Sequence, residues 1–483
     1  MKNKSEDYVI RVLDSPQAID AIQWNELLAL QEPDGALNPF MRHEYLTAMQ
    51  ASGSAVPNTG WTPRLIALYN DTELLGACAL YLKSHSYGEY VFDWAWANAY
   101  QQHGLAYYPK AVVASPFTPV PGPRLLAKDA ALRVQLVKAL IAWCESEKLS
   151  SLHLLFGHEA DIAACAEAGL MLRHTVQFHW KNMAPTLVAA RTALPPEGAD
   201  LARGGPSLRP VAPTLVAART ALPPEGADLA RGGPSLQPVA STLVAARTAL
   251  PPEGADLARG GPSLRPVAPT HTQFKDFDDF LGSLNQEKRK KIRQERRKVT
   301  EAGVIFRAIC GAEMSNADWD FFYRCYERTY LEHGNAPYLS RNFFEHMASQ
   351  MKENWLMFVA EREGRPMACS LIALSTGTQD GQKTAYGRYW GALERVDCLH
   401  FEACYYQPLQ WCIAHGFDSF EGGAQGEHKM ARALLPVKTT SAHWLAHPSF
   451  ADAVERFLAR EGEGISDYMQ ELERRNPFKP ATT

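Results

Sequence analysis

Residues 184–267 are one 28-residue unit, APTLVAARTALPPEGADLARGGPSLRPV, written three times, with changes only at Arg209/Gln237/Arg265 and Pro185/Pro213/Ser241. Since 28 is four heptads, Leu187, Leu194, Leu201 and Leu208 recur every seventh residue, as in a coiled coil. The first unit also carries Pro195-Pro196 and Gly204-Gly205, and its copies repeat them. A helix-interior proline costs ~3 kcal/mol and a glycine ~1 kcal/mol, more than those leucines can return. Pro, Gly and Ala fill half of the first copy, and none of the copies has an aromatic residue. The segment is therefore expected to be a long disordered insertion, with a repeat module that binds a partner as the alternative. Any fold must come from the 483 − 84 = 399 residues around it.

Those residues are enough for two or three domains. The 49 Lys and Arg nearly balance the 53 Asp and Glu, so no field over the whole surface draws the chain to nucleic acid, and DNA is not an expected partner. Ser5, Glu6 and Asp7 occupy the place where a signal peptide needs apolar residues. No apolar run nears the ~18 residues of a spanning helix. The nine cysteines are scattered without a Cys-x-x-Cys pair, which argues against a disulfide framework and a zinc site. The chain reads as cytoplasmic, without a metal or a permanently bound cofactor.

The flanks share a plan. Residues 65–69 and 74–82 read as two strands around Asn70-Asp71, and LMFVAEREGRPMACSLIALST repeats the pattern around Gly364-Arg365-Pro366. Each hairpin is followed by an aromatic strand (residues 90–96; 385–392), a helix and a short strand. The first helix is capped by Asp129 and buries Leu132, Leu136, Leu140 and Trp143; residues 152–156 follow as a strand. The second runs over 401–415 before a strand at 417–420, and Pro408 should kink it or strand the carbonyls of Ala403 and Cys404. A duplicated α/β domain is the expected fold, with halves at 6–182 and 271–478.

SYGEYVFDWAWANAYQQHGLAYYPK, PFTPVPGPRLL, LNQEKRKKIRQERRKV, YGRYWG, LHFEACYYQ and GGAQGEHKMARALLP together resemble the bacterial FemAB-related peptidoglycan biosynthesis/recognition family of the GNAT acyltransferase superfamily. The sequence departs from that family in the insert, in Pro408, and in Ala433-Leu434, where Gly-Phe is expected. The resemblance implies tandem GNAT-like domains, each a mixed sheet flanked by helices. It also implies Fem-type transfer of an aminoacyl or acyl group to an amine, with a peptidoglycan precursor peptide as acceptor. A CoA-dependent N-acetyltransferase and a non-catalytic peptidoglycan-recognition protein are the rival readings.

The acyl donor is either aminoacyl-tRNA or acyl-CoA. A CoA cradle needs successive backbone N–H groups, and Pro119, Pro121 and Pro123 remove three from the first half's turn, leaving Gly122 and Arg124 to hold one phosphate. Residues 288–298 carry eight Lys or Arg against Glu295, a local +7. Arg289, Arg293 and Arg297 are the candidate phosphate ligands there, for charged tRNA or for a lipid-linked substrate at a membrane surface; a solvated basic face is the plain alternative. For catalysis, Glu427 or His428 is the expected base, in a glycine-rich stretch with Gln425, Lys429 and Arg432 as substrate contacts. Tyr386, Arg388 and Trp390 alternate to one strand face, which would set Arg388 between two rings to grip a carboxylate or phosphate. His400 and Glu402 open the next helix, and Tyr87, Glu89, Asp93, Trp94 and His103 are candidates for the first half's cleft. Each of these also has a structural reading: turn, stacked arginine, helix end or aromatic core.

Overall fold

The computed structural model describes residues 8–32, 37–183, 273–377, 381–423 and 426–479; the three repeats, and the disorder expected of them, lie outside the described residues. The chain is a mixed α/β protein. A small antiparallel sheet has the order β1 (Val9–Leu13), β3 (Leu65–Asn70), β4 (Glu73–Cys78), β7 (Leu126–Ala127). A large mixed sheet runs β10 (Val304–Cys310), β11 (Trp355–Arg362), β12 (Arg365–Leu374), β13 (Thr384–Ala392), β14 (Ser419–Glu421), β9 (Met171–Lys181), β15 (Leu435–Leu445), β8 (Ser151–Leu154), β6 (Lys110–Val113), β5 (Leu80–Lys83), β2 (Trp61–Pro63).

Each half contributes a parallel pair joined by a helix, as parallel strands require. β6 pairs with β8 across the helix Ala130–Ser146, and β13 pairs with β14 across helical turns from Leu399 to Ala414. The halves then exchange strands. β9, the last strand of the first half, lies between β14 and β15, while β15, from the second half, lies between β9 and β8. Nine residue pairs, from Leu435 opposite His179 to His443 opposite Met171, stitch β9 to β15. The two sets of strands therefore form one sheet. One apolar core also spans both halves: the Phe40 ring meets Tyr386 edge-on at 5.4 Å, and Tyr45 meets Phe343 at 5.4 Å.

The first long helix follows its sequence. The Asp129 carboxylate accepts from the Leu132 N–H at 2.8 Å, and Leu132, Leu136 and Leu140 are buried. Residues 90–96 are not the expected strand. Left-handed backbone at Gly88 (φ 80°) and Tyr90 (φ 61°) breaks extension, and a helix Trp94–Gln102 begins instead, burying Trp96 and Tyr100 four residues apart. The strand expected over 74–82 divides, because β4 stays in the small sheet while β5 enters the large one. Pro408 is absorbed by a π-helical segment, Glu402–Tyr406, and Ser370 Oγ donates to the Ala403 carbonyl at 2.6 Å, so that this carbonyl is not stranded.

The insertion's two flanks meet. The Phe274 N–H donates to Asn182 Oδ1 at 3.2 Å, and Asn182 Nδ2 donates to the Phe417 carbonyl at 2.9 Å. Deleting residues 184–267 leaves 91 − 84 = 7 residues to join Asn182 to Phe274. Loop-closure entropy changes only by about 0.6 kcal/mol per doubling of length. The deletion protein should therefore unfold within about 3 °C of the full chain, measured by thermal denaturation.

Candidate functional site

β13 and β14 pair only from Thr384–Ser419 to Tyr386–Glu421; β13 then continues to Ala392 while the other chain turns away at Gly422-Gly423. This opens a fork in the sheet, and glycine lets its prongs approach. A Cβ on Gly387 would stand 2.7 Å from the Phe420 ring, and Gly423 has φ +77°. A cleft of about 340 Å³ adjoins the fork, lined among others by Tyr90, Phe117, Tyr330, Tyr338 and Arg388. A hollow of about 110 Å³ shares Gly387, Arg388, Tyr389 and Gly422 with it and is otherwise walled by Ser370, Trp390, His400 and Tyr405.

The matching fork of the first half is shut. Beyond Val113 the chain loops out and returns so that Gly122 bridges Gly157, with its N–H on the Phe156 carbonyl and its own carbonyl accepting from His158 N–H, both at 3.0 Å. Arg124 is 1% exposed; its backbone N–H donates to Asp161 Oδ2 at 2.6 Å and its Nε to the Leu155 carbonyl at 3.1 Å. Arg124 is thus a structural pin, and the expectation that it could hold a phosphate with Gly122 is corrected. The same loop walls the second half's cleft: Arg388 Nη2 donates to the Phe117 carbonyl at 2.8 Å and Gln177 Nε2 to the Pro119 carbonyl at 2.7 Å.

Glu421, the last residue of β14, faces the larger cleft's side of the sheet together with Tyr386, whereas Phe420 points into the core on the other side. Burial, reinforced by the charge of Glu32 and opposed by Arg388 and Arg124, pushes its carboxyl up to about 8. Its Oε2 is buried without a hydrogen-bond partner among the described residues, and its Oε1 lies 3.8 Å from His179 Nδ1. Burial and the nearby Lys429 and Lys181 hold His179 down to about 3, so it is a neutral imidazole. Lys429 is 3% exposed, its Nζ donates to the Gly423 carbonyl at 3.0 Å, and burial with the Arg388 charge lowers it to about 8. An acid and an amine whose values both lie near 8 thus stand where the fork opens, the kind of pair that proton transfer near neutrality requires.

The glycine-rich stretch divides. Gln425 lies outside the described residues. Glu427 is turned to the helix Pro448–Arg474: its Oε1 accepts from Tyr468 Oη at 2.7 Å and its Oε2 pairs with Arg475 Nη1 at 2.9 Å, which holds the carboxyl low. His428 is exposed, with Nε2 3.2 Å from Tyr405 Oη. Arg432 is buried, pairing with Glu295 at 2.9 Å and lying 3.5 Å over the Phe401 ring. Glu295, the one acid of the basic stretch, therefore faces inward. Arg289, Arg293 and Arg297 lie on the helix Gln286–Glu301, with Arg293 and Arg297 exposed and Arg293 3.6 Å from Asp278.

The alternation expected at Tyr386, Arg388 and Trp390 is broken by a bulge, where Ile372 opposes Gly387 but Leu371 opposes Tyr389. Tyr386 stays on the core side with Phe40, while Trp390 turns to the face of His400, 5.5 Å away. Arg388 instead lies between Phe40 and Tyr389, 5.6 and 5.4 Å from their centroids. His400 lines the smaller hollow, but Glu402 is taken by Arg296 at 3.0 Å and by Gln407 Nε2 at 2.7 Å. The five candidates of the first half line neither of the two cavities at the fork. Tyr87 is exposed and packs on His85 and Trp94 at 5.2 and 5.1 Å, and His103 is exposed with Nδ1 2.9 Å from the Ala99 carbonyl. Glu89 and Asp93 are buried against Lys110. Glu421, His179 and the tyrosines of the cleft were missed by sequence reasoning; an acid between a strand and Gly-Gly was the available signal.

Among the described residues no group of three or more His, Cys, Asp or Glu could hold a metal ion, and no helix is long and apolar enough to cross a membrane. The sequence profile of the FemAB-like family, described as peptidoglycan biosynthesis/recognition, matches residues 15–186 and 269–480. No curated protein matches the sequence. Similar solved structures include FemX (10% identity, TM-score 0.43, covering 90% of this chain and 98% of that one). They also include L-PGS from Bacillus licheniformis (9%, 0.44, 93% and 99%) and a tandem GNAT protein from the clavulanic acid biosynthesis pathway (11%, 0.39, 92% and 99%). At these identities and scores the likenesses assign no activity. The family profile covers most of the chain, on both sides of the repeats, and the chain belongs to the FemAB-like peptidoglycan biosynthesis/recognition family.

Proposed function

We propose that the chain is a Fem-type N-acyltransferase that moves an aminoacyl or acyl group onto an amine of a peptidoglycan precursor peptide, at the β13–β14 fork. The observation that carries this reading is the Glu421 carboxyl, pushed up to about 8 at the last paired position before the β13–β14 fork opens, while the first half's counterpart fork is closed. Glu421 takes a proton from the attacking amine, the amine nitrogen bonds to the acyl carbon, and the ester or thioester bond breaks with the proton passing to the leaving group. Lys429, whose ammonium form is present below about 8, steadies the developing oxyanion. His400 lines the smaller hollow and His428 reaches Tyr405, another of its walls, and both act as substrate contacts.

For the donor we favour a charged tRNA. In the first half's turn the Gly122 and Arg124 N–H groups are spent internally, while Lys290, Lys291, Arg293, Arg297 and Lys298 are exposed on one helix, where phosphates can be neutralised. Calorimetry with CoA separates the donors, since tight binding would support the acetyltransferase alternative. Glu427→Gln should leave transfer within about threefold of the parent, because that carboxylate serves Tyr468 and Arg475. Mass-detected transfer to an amine acceptor measures this, with Glu421→Gln as the variant that must fail. Full retention of cellular function in a folded Glu421→Gln protein would instead favour non-catalytic recognition.

A further inference from the structure

We infer that the larger cleft is a seat for a carboxylate carried on a ring or apolar stem, with Arg388 taking the carboxylate; this rests on reading the fork as the substrate site. Seven of the thirteen residues lining the cleft are Tyr or Phe, and its volume of about 340 Å³ suits a small organic body. Two of the lining rings, Phe117 and Tyr338, stack on each other at 4.8 Å with 17° between their planes. Flat aromatic walls take rings and apolar stems by dispersion and by offset or edge contacts. They can also cage a cation, but here the one guanidinium in the lining repels a second positive charge.

Arg388 lacks what a buried cation needs. Its Nη2 is fixed on the Phe117 carbonyl, its Nε is buried without a hydrogen-bond partner, and no carboxylate among the described residues pairs with it. A guanidinium so placed gains most from a planar anion that accepts two parallel hydrogen bonds. Arg388 is the one cation in the cleft lining, which matches a monoanion better than a phosphate dianion, whose second charge would find no partner there. Arg388 stands at the bulge itself, unpaired between Gly387 and Tyr389, and it lines the cleft.

The test is titration of the full-length protein, by calorimetry or ligand-observed NMR, with 3-phenylpropionate, 3-phenylpropionamide and phenylphosphonate. The parent should bind the acid at least tenfold more tightly than the amide, and more tightly than the phosphonate. Arg388→Gln should bind acid and amide alike, and Arg388→Lys should keep a reduced preference that shows the charge at work in a folded protein. Equal binding of acid and amide by the parent, or a preference that survives Arg388→Gln, overturns the assignment; tighter phosphonate binding overturns the choice of carboxylate. Glu421→Gln should bind the acid within threefold of the parent. If that variant still transfers acyl groups while Arg388→Gln loses the acid preference, the proton acceptor is wrong and the carboxylate seat stands.

Discussion

Glu421→Gln should lower acyl transfer by about 10²- to 10⁴-fold, the usual worth of a positioned general base, with the fold intact. The amide keeps the shape of the side chain and removes only its proton chemistry. The pH profile gives a sharper sign. A carboxyl that ionises at about 8 is mostly protonated at pH 6, so the parent rate should rise about tenfold per unit up to that value and then level off. The residual activity of the variant should lack this limb. Stability changes in the opposite sense. The folded value of about 8 lies above the ordinary 4.5, so the contribution of this group is full below 4.5 and is lost as pH rises through 8. Gln cannot ionise, so the variant should match the parent in thermal denaturation at pH 4 and exceed it at pH 9. Activity within threefold of the parent in a folded variant would remove Glu421 from the chemistry.

Legibility in the sequence followed physical range. Asp129 and its leucines form a helix through contacts within four residues, so cap and stripe are both visible in the string, and the structure keeps them. The hairpin at Gly364 is equally local. The exchange of β9 and β15 is not local: His179 opposes Leu435 across a gap of 256 residues, and nothing in either strand's alternation names its neighbour. The same limit hid the site. Glu421 becomes a high-pKa acid through burial and the charge of Glu32, against the pull of Arg388 and Arg124, and all three residues lie far off in sequence. Glu427 looked the better base because it sits among glycines beside a histidine, yet Tyr468 and Arg475 come from a helix some forty residues later. Tyr386 and Arg388 were read correctly as strand residues, but period-two alternation cannot foresee a bulge set by the register with β12.

The largest stability effect is expected at the first half's buried charges. Lys110 is 0% exposed, and its Nζ donates at 2.8 Å to Glu89 Oε2 and to Ser86 Oγ, and also to Asp93, whose Oδ2 accepts from Tyr107 Oη at 2.6 Å. Lys110→Met keeps the volume and strands two carboxylates, which should cost about 3–5 kcal/mol, or a fall of roughly 5–10 °C in Tm. The direction with pH follows from the partners. In the parent, burial is the largest influence on Asp93, but the Lys110 charge together with His153 and the hydrogen bonds of Lys110 and Ser86 outweighs it and holds that carboxyl well below its ordinary 3.8, a contribution present above 3.8 and lost as pH falls through the lower folded value. Without Lys110, burial dominates at Asp93 as it does at Glu89, already pushed up to about 7, and ionisation then penalises the folded state. The deficit of the variant should therefore be smallest near pH 4 and grow through pH 7. Adding Asp93→Asn should recover part of it, because one stranded charge is removed together with its desolvation cost. A deficit that stays constant from pH 4 to pH 8, or an additive double variant, would mean that Lys110 acts through packing alone and that the electrostatic account of this cluster is wrong.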